Sequence, residues 1–170
     1  MPGKGLSIAF RALEEADLPL MRGWIARPHW QDWWGEPDTE INELRQSIDS
    51  DAVEPMIVEI DGRPAAFVQS YDPHLEEDHP YQDQPFGTLG IDISIADAGS
   101  LGKGLGPAIL DALAGILFDE GALRLIIDPD PANRRAIRAY EKAGFLPLGE
   151  RDTPFGRVLL MARDTDETED

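Results

Sequence analysis

A glycine-rich turn that leads directly into an apolar helix is the segment of this sequence best suited to bind a phosphorylated ligand. Its residues are Leu101, Gly102, Lys103, Gly104, Leu105 and Gly106. Three glycines in six positions let the backbone turn tightly and approach a ligand with no Cβ in the way. The helix predicted to follow offers unpaired N–H groups and the positive end of its dipole, and Lys103 adds a charge. The turn therefore predicts a phosphate or pyrophosphate site.

Two other phosphate-binding motifs fit this turn less well. A P-loop requires a glycine separated by four residues from its Gly-Lys pair, and a serine or threonine directly after that pair. Asp97 and Gly104 occupy these positions. A dinucleotide-binding fingerprint requires its third glycine at position 107, where the chain has proline. On this hexapeptide alone, a ligand-free turn between a strand and a helix stays open as the alternative.

Asp92 lies on a predicted strand that precedes the turn. Leu89 to Ile95 alternate between apolar residues and glycine, aspartate or serine, which puts one face in the core and Asp92 on the other. A carboxylate there can hold an ammonium group and accept its proton, so Asp92 is the candidate general base. A solvated surface aspartate is the alternative.

Asp128 ends the next predicted strand, just before Pro129. Because sheet-based sites gather at the carboxyl ends of strands, we expect Asp128 to bind a second ammonium group. Helix capping is the alternative, although Asp130 is better placed for it.

Aromatic residues give weaker signals. Tyr140 lies on a predicted helix face with apolar neighbours, a spacing more typical of core than of catalysis. Trp30, Trp33 and Trp34 form either an aromatic wall over a sugar or ring, or a staple that ties a loop to the core. The three histidines are not spaced as metal ligands, so we expect no metal.

Hydrophobic periodicity predicts the element order βααβββαβαββ. This order favours a mixed α/β domain with a twisted, mostly antiparallel central sheet and helices on both faces. We expect one domain over residues 1–163 and a disordered acidic tail over 164–170. The predicted strands are 6–11, 56–60, 65–71, 89–95, 123–128, 145–149 and 157–162. The predicted helices are one from Asp17 to before Pro28, 39–50, 106–120 and 132–143.

Four local signals refine these elements. Asp17 is the expected cap of the first helix, and Pro107 suits the first position of the helix after the glycine turn. Asp61-Gly62 predicts a hairpin between the second and third strands, and Gly144 is expected to end the last helix.

Composition limits the class of partner. The formal charge of −18 argues against nucleic acid and favours a cationic partner, with solubility or a saline habitat as alternatives. A loop over residues 72–83 carries several carboxylates that would face such a partner. The chain has no cysteine and no apolar run near the roughly 18 residues that span a membrane, so we expect a cytoplasmic protein without disulfides. The oligomeric state stays open.

Two signatures together resemble the GNAT superfamily of acyl-CoA-dependent N-acyltransferases. Gly104 and Gly106 match the small positions of its Arg/Gln-x-x-Gly-x-Gly/Ala loop, although Leu101 stands where Arg or Gln is usual. About 30 residues later, the stretch from Asn133 through Tyr140 to Phe145 resembles the second signature, Asn-x-x-Ala-x-x-x-Tyr-x-x-x-Gly-Phe. The resemblance covers most of the chain.

The resemblance implies the GNAT fold, with a splayed strand pair, and acetyl-CoA as co-substrate. It makes the glycine turn a cradle for the CoA pyrophosphate and Tyr140 the proton donor to the departing thiolate. Asn133 would bond the pantetheine arm, and the backbone groups of Ile93 and Ile95 would pair with it.

Two GNAT subgroups are similar to this chain. The Gly-Ile-Asp motif at 90–92, the glycine turn and the Asp-Pro-x-Pro-x-Asn motif at 128–133 look most like aminoglycoside 6′-N-acetyltransferases, which are linked to antibiotic resistance. This subgroup makes Asp92, Asp128, Trp34 and Tyr71 the acceptor-binding candidates. Siderophore lysine N-acyltransferases, the enzymatic alternative, place a histidine where this chain has Asp92. A non-catalytic acyl-CoA-binding module is the alternative from another class.

Overall fold

The computed structural model describes residues 7–166, and its elements follow the predicted order with one short helix and two 3₁₀ turns added. The strands are β1 (Ile8–Ala12), β2 (Val53–Ile60), β3 (Arg63–Tyr71), β4 (Thr88–Ile95), β5 (Arg124–Ile127), β6 (Leu146–Thr153) and β7 (Gly156–Asp164). The helices are α1 (Leu18–Ile25), α2 (Pro28–Gln31), α3 (Pro37–Ile48), α4 (Leu105–Asp119) and α5 (Arg134–Lys142).

The strands form a seven-stranded sheet in the order β1-β2-β3-β4-β5-β7-β6. β4 and β5 are parallel, whereas β1–β2, β5–β7 and β6–β7 are antiparallel. The predicted mixed α/β fold with a mostly antiparallel sheet is confirmed.

The chain divides into two compact units. Unit 1 comprises the chain up to Gln69 together with Ile93–Gly99, and unit 2 comprises Ser70–Asp92 and the chain from Ser100 onward. The boundary falls within β3 and within β4. The single domain predicted over residues 1–163 stays a prediction.

Unit 1 encloses an apolar core built largely by its three helices. In α3, Ile41, Leu44 and Ile48 follow helical spacing on one face, and the Glu36 side chain caps the helix by accepting from the Thr39 N–H at 2.9 Å. The β2–β3 hairpin turns through Asp61 and Gly62, both at positive φ, as the sequence predicts. The buried core side chains are Leu13, Leu18, Met21, Trp24, Ile25, Trp30, Ile41, Leu44, Ile57, Phe67 and Ala96.

Unit 2 places two helices beside its strands. Helix α4 buries an apolar stripe that includes Ile109, Leu113 and Leu117. Helix α5 begins at Asn133, whose Oδ1 accepts from the Ala136 N–H at 3.3 Å. It ends before Gly144, whose φ of 91° is the left-handed conformation expected after a helix.

Three local predictions about helix starts were wrong. Asp17 precedes α1, but its carboxylate accepts from Arg11 and from the Glu14 N–H, because a two-pronged guanidinium pair is the stronger interaction. Asp130 accepts from the Ala132 N–H instead of capping α5, which starts later, at Arg134. Pro107 is the third residue of α4 instead of the first, still within the turn whose N–H groups lack helical partners.

The predicted first strand and the predicted acidic tail each extend beyond the described residues. Leu6, the predicted start of the first strand, lies outside them, and so do residues 167–170 of the predicted tail. Strand β7 runs through Asp164, the first residue of that predicted tail. The Arg124 Nε donates to Asp164 Oδ1 at 2.7 Å, which fixes the strand end.

Candidate active site

Asp92 lies on β4, and Asp128 lies at the equivalent position just after the parallel strand β5. The β4–β5 register begins at Thr88 and Arg124 and ends with Gly90 opposite Ile126. Paired residues of parallel strands project to the same face, and so do the residues two positions further on. Those residues are Asp92 on β4 and Asp128 just after β5. The two carboxylates therefore stand where the strands stop pairing.

The Asp128 carboxyl titrates far from its ordinary range. Burial, and then the negative charge of Asp92, raise its pKa from 3.8 to about 7, while a hydrogen bond from Tyr81 acts against this rise. Tyr81 Oη donates to Asp128 Oδ2 at 2.5 Å. The raised pKa of Asp128 favours a proton or another cation at this carboxylate near neutral pH.

Gly90 lets an aromatic ring lie against the strand that carries Asp92. A Cβ built on Gly90 would come 2.0 Å from Cζ of Tyr71, so a larger residue would displace the ring. Burial, followed by the charges of Asp92 and Asp128, raises the pKa of the Tyr71 phenol well above its usual range. The structure thus brings Tyr71 to the carboxylate pair, and its acceptor-binding role stays a prediction.

The segment between β3 and β4, residues 72–87, contributes two more aromatic side chains, His79 and Tyr81, to the surroundings of Asp92 and Asp128. His79 lies between Tyr71 and Tyr81, with ring centroids 5.2 and 5.1 Å away. The Tyr81 N–H donates to His79 Nδ1 at 3.1 Å, so this nitrogen carries no proton, and burial lowers the pKa of the imidazole. Sequence reasoning missed both residues. A large aromatic side chain inside a long polar loop is the signal that indicates such an anchor.

The carboxylates of the acidic loop predicted over 72–83 separate into different roles. The pKa of Glu76 is raised by partial burial and then by the charge of Asp92, so this side chain adds to the negative site. Asp72 instead accepts from the His74 N–H at 2.9 Å, and Asp83 pairs with Arg151 at 3.2 Å. We infer a negative site made of Asp92, Asp128 and Glu76.

Helix α5 supplies the candidate acid. Burial, followed by the charges of Asp92 and Asp128, raises the pKa of the Tyr140 phenol, which therefore keeps its proton at neutral pH. Asn133, at the start of the same helix, uses Oδ1 as a helix cap. Because one lone pair of Oδ1 serves the helix cap, the amide N–H groups of Asn133 are the candidate donors to a ligand.

The glycine turn has the conformation that its sequence predicts. Gly102 and Gly104 have φ values of 78° and 85°, a region that residues with a side chain rarely enter. Gly104 is the N-cap of α4 and has no side chain to satisfy the first N–H groups of that helix. Lys103 is exposed in the turn. These features suit a backbone anion site.

Three predicted ligand-binding residues lie in unit 1. The Ile95 carbonyl already accepts from Trp30 Nε1 at 2.9 Å and from His29 Nε2 at 3.0 Å, which uses both of its lone pairs. Pairing of a pantetheine arm at Ile95 would therefore use its N–H, together with the backbone of Ile93. Trp34 donates from Nε1 to Ser94 Oγ at 2.8 Å and packs edge-on against Phe67.

The tryptophan cluster serves mainly the core of unit 1. Trp30 is 2% exposed and lies 5.1 Å from Trp34 and 5.9 Å from Trp24, ring centroid to centroid. Trp33 is 51% exposed. The staple interpretation therefore holds for Trp30, while the assignment of Trp34 to acceptor binding stays a prediction.

Within residues 7–166, no helix combines the length and apolar character needed to cross a membrane. The same residues present no group of three or more His, Cys, Asp or Glu side chains arranged to bind a metal ion.

Comparison with known sequences identifies the family. The protein-family model described as an acetyltransferase (GNAT) domain matches residues 14–153 of this chain. Aminoglycoside N(6′)-acetyltransferase type 1 of Klebsiella pneumoniae is 35% identical over 166 residues, 92% of this chain and 83% of that protein. Lysine N-acyltransferase MbtK of Mycolicibacterium paratuberculosis is 29% identical, over 95% of this chain and 75% of that protein.

Solved structures agree with this assignment. The complex of aminoglycoside acetyltransferase AAC(6′)-Ib with paromomycin and acetyl-CoA has a TM-score of 0.85 and 34% identity, and the match covers 93% of both chains. The complex of that enzyme with coenzyme A and kanamycin also has a TM-score of 0.85, over 93% of this chain and 95% of the other. This chain therefore belongs to the GNAT family of acetyltransferases.

Proposed function

We propose that this enzyme transfers the acetyl group of acetyl-CoA directly to a primary amine of an aminoglycoside-like polycation, within a ternary complex. The observation that carries the proposal is the pair Asp92 and Asp128, which unit 2 holds at equivalent positions where β4 and β5 part. Keeping two negative charges together in a partly buried site favours a ligand that brings positive charges.

The acceptor chemistry follows from this pair. One ammonium group binds at Asp92, which takes its proton and leaves a neutral amine ready to attack. A second ammonium group binds at Asp128 in place of the proton favoured there at neutral pH. Glu76 adds negative potential, and Tyr71 and Trp34 are the proposed aromatic contacts to the sugar rings.

The transfer step conserves atoms and charge. The amine nitrogen forms a bond to the acetyl carbonyl carbon, and the carbon–sulfur bond breaks, releasing the CoA thiolate. Tyr140 provides a proton to that thiolate, and Asp92 holds the proton taken from the ammonium group. The newly bonded nitrogen loses its extra proton, which replaces the one that Tyr140 gave up, so the products are a neutral amide, the CoA thiol and protonated Asp92. The bound ammonium groups offset the charges of Asp92 and Asp128, which otherwise keep the proton on Tyr140.

The donor is held mainly by backbone groups. The N–H groups of residues 101–106 and the start of α4 bind the pyrophosphate, and Lys103 adds its charge. Leu101 gives no hydrogen bond from its side chain, so the glycines carry this role. The Asn133 amide and the backbone of Ile93 and Ile95 are the proposed contacts to pantetheine.

Similarity to named relatives supports the acceptor class. Two solved structures of AAC(6′)-Ib, each at 34% identity, hold paromomycin with acetyl-CoA and kanamycin with coenzyme A. We extend that chemistry to this chain, with resistance to such antibiotics as the proposed consequence and the cytoplasm as the proposed location.

A thiol-release assay tests the function. Purified protein with acetyl-CoA is offered kanamycin, spermidine and N-hydroxylysine in turn, and free CoA is measured against a no-acceptor control. We expect release with kanamycin and a mass increase of one acetyl group on the antibiotic. Release with N-hydroxylysine alone would contradict the proposal.

Lysine acylation is the second candidate, favoured by the 29% identity to lysine N-acyltransferase MbtK over 95% of this chain. It predicts that long-chain or succinyl-CoA outcompetes acetyl-CoA as donor. Competition between these donors at equal concentration separates the two candidates.

A further inference from the structure

Tyr81 joins the segment of residues 72–87 to the carboxylate pair. Its side chain is 1% exposed, although it lies in a long loop between two strands. Its hydroxyl donates to Asp128 Oδ2 at 2.5 Å, the short distance typical of a hydrogen bond to a carboxylate. Fixing one carboxylate oxygen also fixes the plane of the group, and with it the direction of the other oxygen.

Arg151, on β6, holds Tyr81 from the other side. Its guanidinium lies 5.3 Å from the centroid of the Tyr81 ring, within the range of a cation–π contact. The same group donates to the Pro80 carbonyl at 3.1 Å and pairs with Asp83 at 3.2 Å. Arg151 therefore contacts the segment before, at and after Tyr81, which leaves the phenol little freedom to turn away from Asp128.

Tyr81 keeps its proton in this setting. Burial and the neighbouring charge of Asp128 raise its pKa, so the phenol stays a donor throughout the neutral range. A donor that cannot lose its proton stabilises the charged form of Asp128, against burial and against Asp92.

We propose that Tyr81 is a positioning residue that fixes the Asp128 carboxylate for a second ammonium group of the acceptor, and that Arg151 fixes Tyr81. The enzyme thereby prefers acceptors with at least two ammonium groups over amines with one. This inference rests on the proposed function, and it assigns the preference to the hydrogen bond between Tyr81 and Asp128.

Other groups also act on Asp128. Asp92 faces it from β4, and the phenols of Tyr71 at the end of β3 and Tyr140 on α5 share its electrostatic environment. Arg151 acts on Tyr81 from β6. Replacing only the Tyr81 hydroxyl leaves all four of these groups in place.

The test is Tyr81→Phe, which keeps the ring and removes one hydroxyl. With kanamycin, we expect KM to rise about tenfold and kcat to change much less, since a hydrogen bond to a charged group is lost. The acidic limb of the kcat/KM profile should move up by about one pH unit, because the charged form of Asp128 loses its donor. With 6-amino-6-deoxyglucose, which has one ammonium group, kcat/KM should stay within about twofold of the unmodified enzyme.

Arg151→Gln tests the second contact, with Arg157→Gln as its matched control. Arg157 pairs with Glu150 and Asp152 at the exposed face of the same hairpin. We expect Arg151→Gln to raise KM for kanamycin in the same direction as Tyr81→Phe, and Arg157→Gln to leave it unchanged. Thermal unfolding and circular dichroism confirm that each variant is folded.

A double variant keeps the test decisive. Once Asp128→Asn has removed the carboxylate, Tyr81→Phe should produce no further rise in KM for kanamycin. An unchanged KM and pH profile in a folded Tyr81→Phe enzyme would overturn the inference, and so would equal losses with kanamycin and with 6-amino-6-deoxyglucose. Failure of the proposed function looks different, because the unmodified enzyme would then acetylate neither compound.

Discussion

Units 1 and 2 each gather aromatic side chains near the end of a strand, but their polar groups are satisfied in different ways. In unit 1, indole and imidazole N–H groups of Trp30 and His29 share a neutral backbone carbonyl at Ile95. In unit 2, Tyr71 and Tyr81 lie beside Asp92 and Asp128. The charge of Asp92 helps to raise the pKa of Asp128, and the charges of these carboxylates help to raise the pKa of both phenols. The neutral arrangement only stabilises the fold, whereas adjacent like charges destabilise it unless a ligand compensates. Charge placement therefore distinguishes the candidate site better than the density of aromatic rings.

The largest expected effect on stability comes from Trp30→Ala in unit 1. Trp30 is 2% exposed in the core, so its removal leaves a large cavity and should lower the free energy of unfolding by about 3–5 kcal/mol. Trp33→Ala, at 51% exposure, is the matched control and should cost about 1 kcal/mol or less. Urea denaturation measures both. A small loss at Trp30 would contradict its role as a core staple.

Gly104 in unit 2 and Gly62 in unit 1 have the same left-handed backbone conformation, so Gly104→Val and Gly62→Val form a matched pair. The φ values are 85° and 84°, and a Cβ at either position meets no atom within 4 Å. Both variants should lose stability, about 1–3 kcal/mol, because valine is strained at positive φ. Only Gly104→Val should raise KM for acetyl-CoA, by about tenfold, since it alone distorts the anion site. Equal KM values for acetyl-CoA in the two variants, measured by steady-state kinetics, would contradict a pyrophosphate site at this turn.

Asp128→Asn should give the smallest effect, visible in the pH dependence of stability. The pKa of Asp128 is higher in the folded than in the unfolded chain, so its contribution is fully present below about pH 4 and is lost as pH rises through about 7. At pH 8 the variant should be more stable than the unmodified protein by on the order of 1 kcal/mol, and this gain should shrink toward pH 5. Chemical denaturation at both pH values measures it. A constant difference would contradict the raised pKa.

Much of the fold follows from local sequence signals. Asp61-Gly62 predicts the β2–β3 hairpin, and Gly144 predicts the end of α5, because both need backbone conformations that few residues adopt. The boundaries of α1 and α5 were less predictable. Tertiary partners decide which polar side chain caps a helix, as Arg11 does by drawing the Asp17 carboxylate away.

The site was predictable only where one strand or one helix defines it. Alternation along β4 places Asp92, and the family signature places Tyr140. Tyr81 enters the site from a long loop with no hydrophobic period, and Gly90 is explained only by the Tyr71 ring that lies over it. Contacts between segments distant in sequence produce both features. An aromatic residue in a long polar loop indicates that Tyr81 is anchored, but the local sequence does not identify its partner.

The negative site in unit 2 is tested most directly by turnover of Asp92→Asn with acetyl-CoA and kanamycin. Asp152→Asn is the matched control, because it removes an exposed carboxylate from another strand of the same unit. If Asp92 is the base, Asp92→Asn should lower kcat by about 100-fold or more while Asp152→Asn keeps normal turnover, and both variants should remain folded. A folded Asp92→Asn enzyme with kcat within about threefold of the unmodified protein would contradict the account.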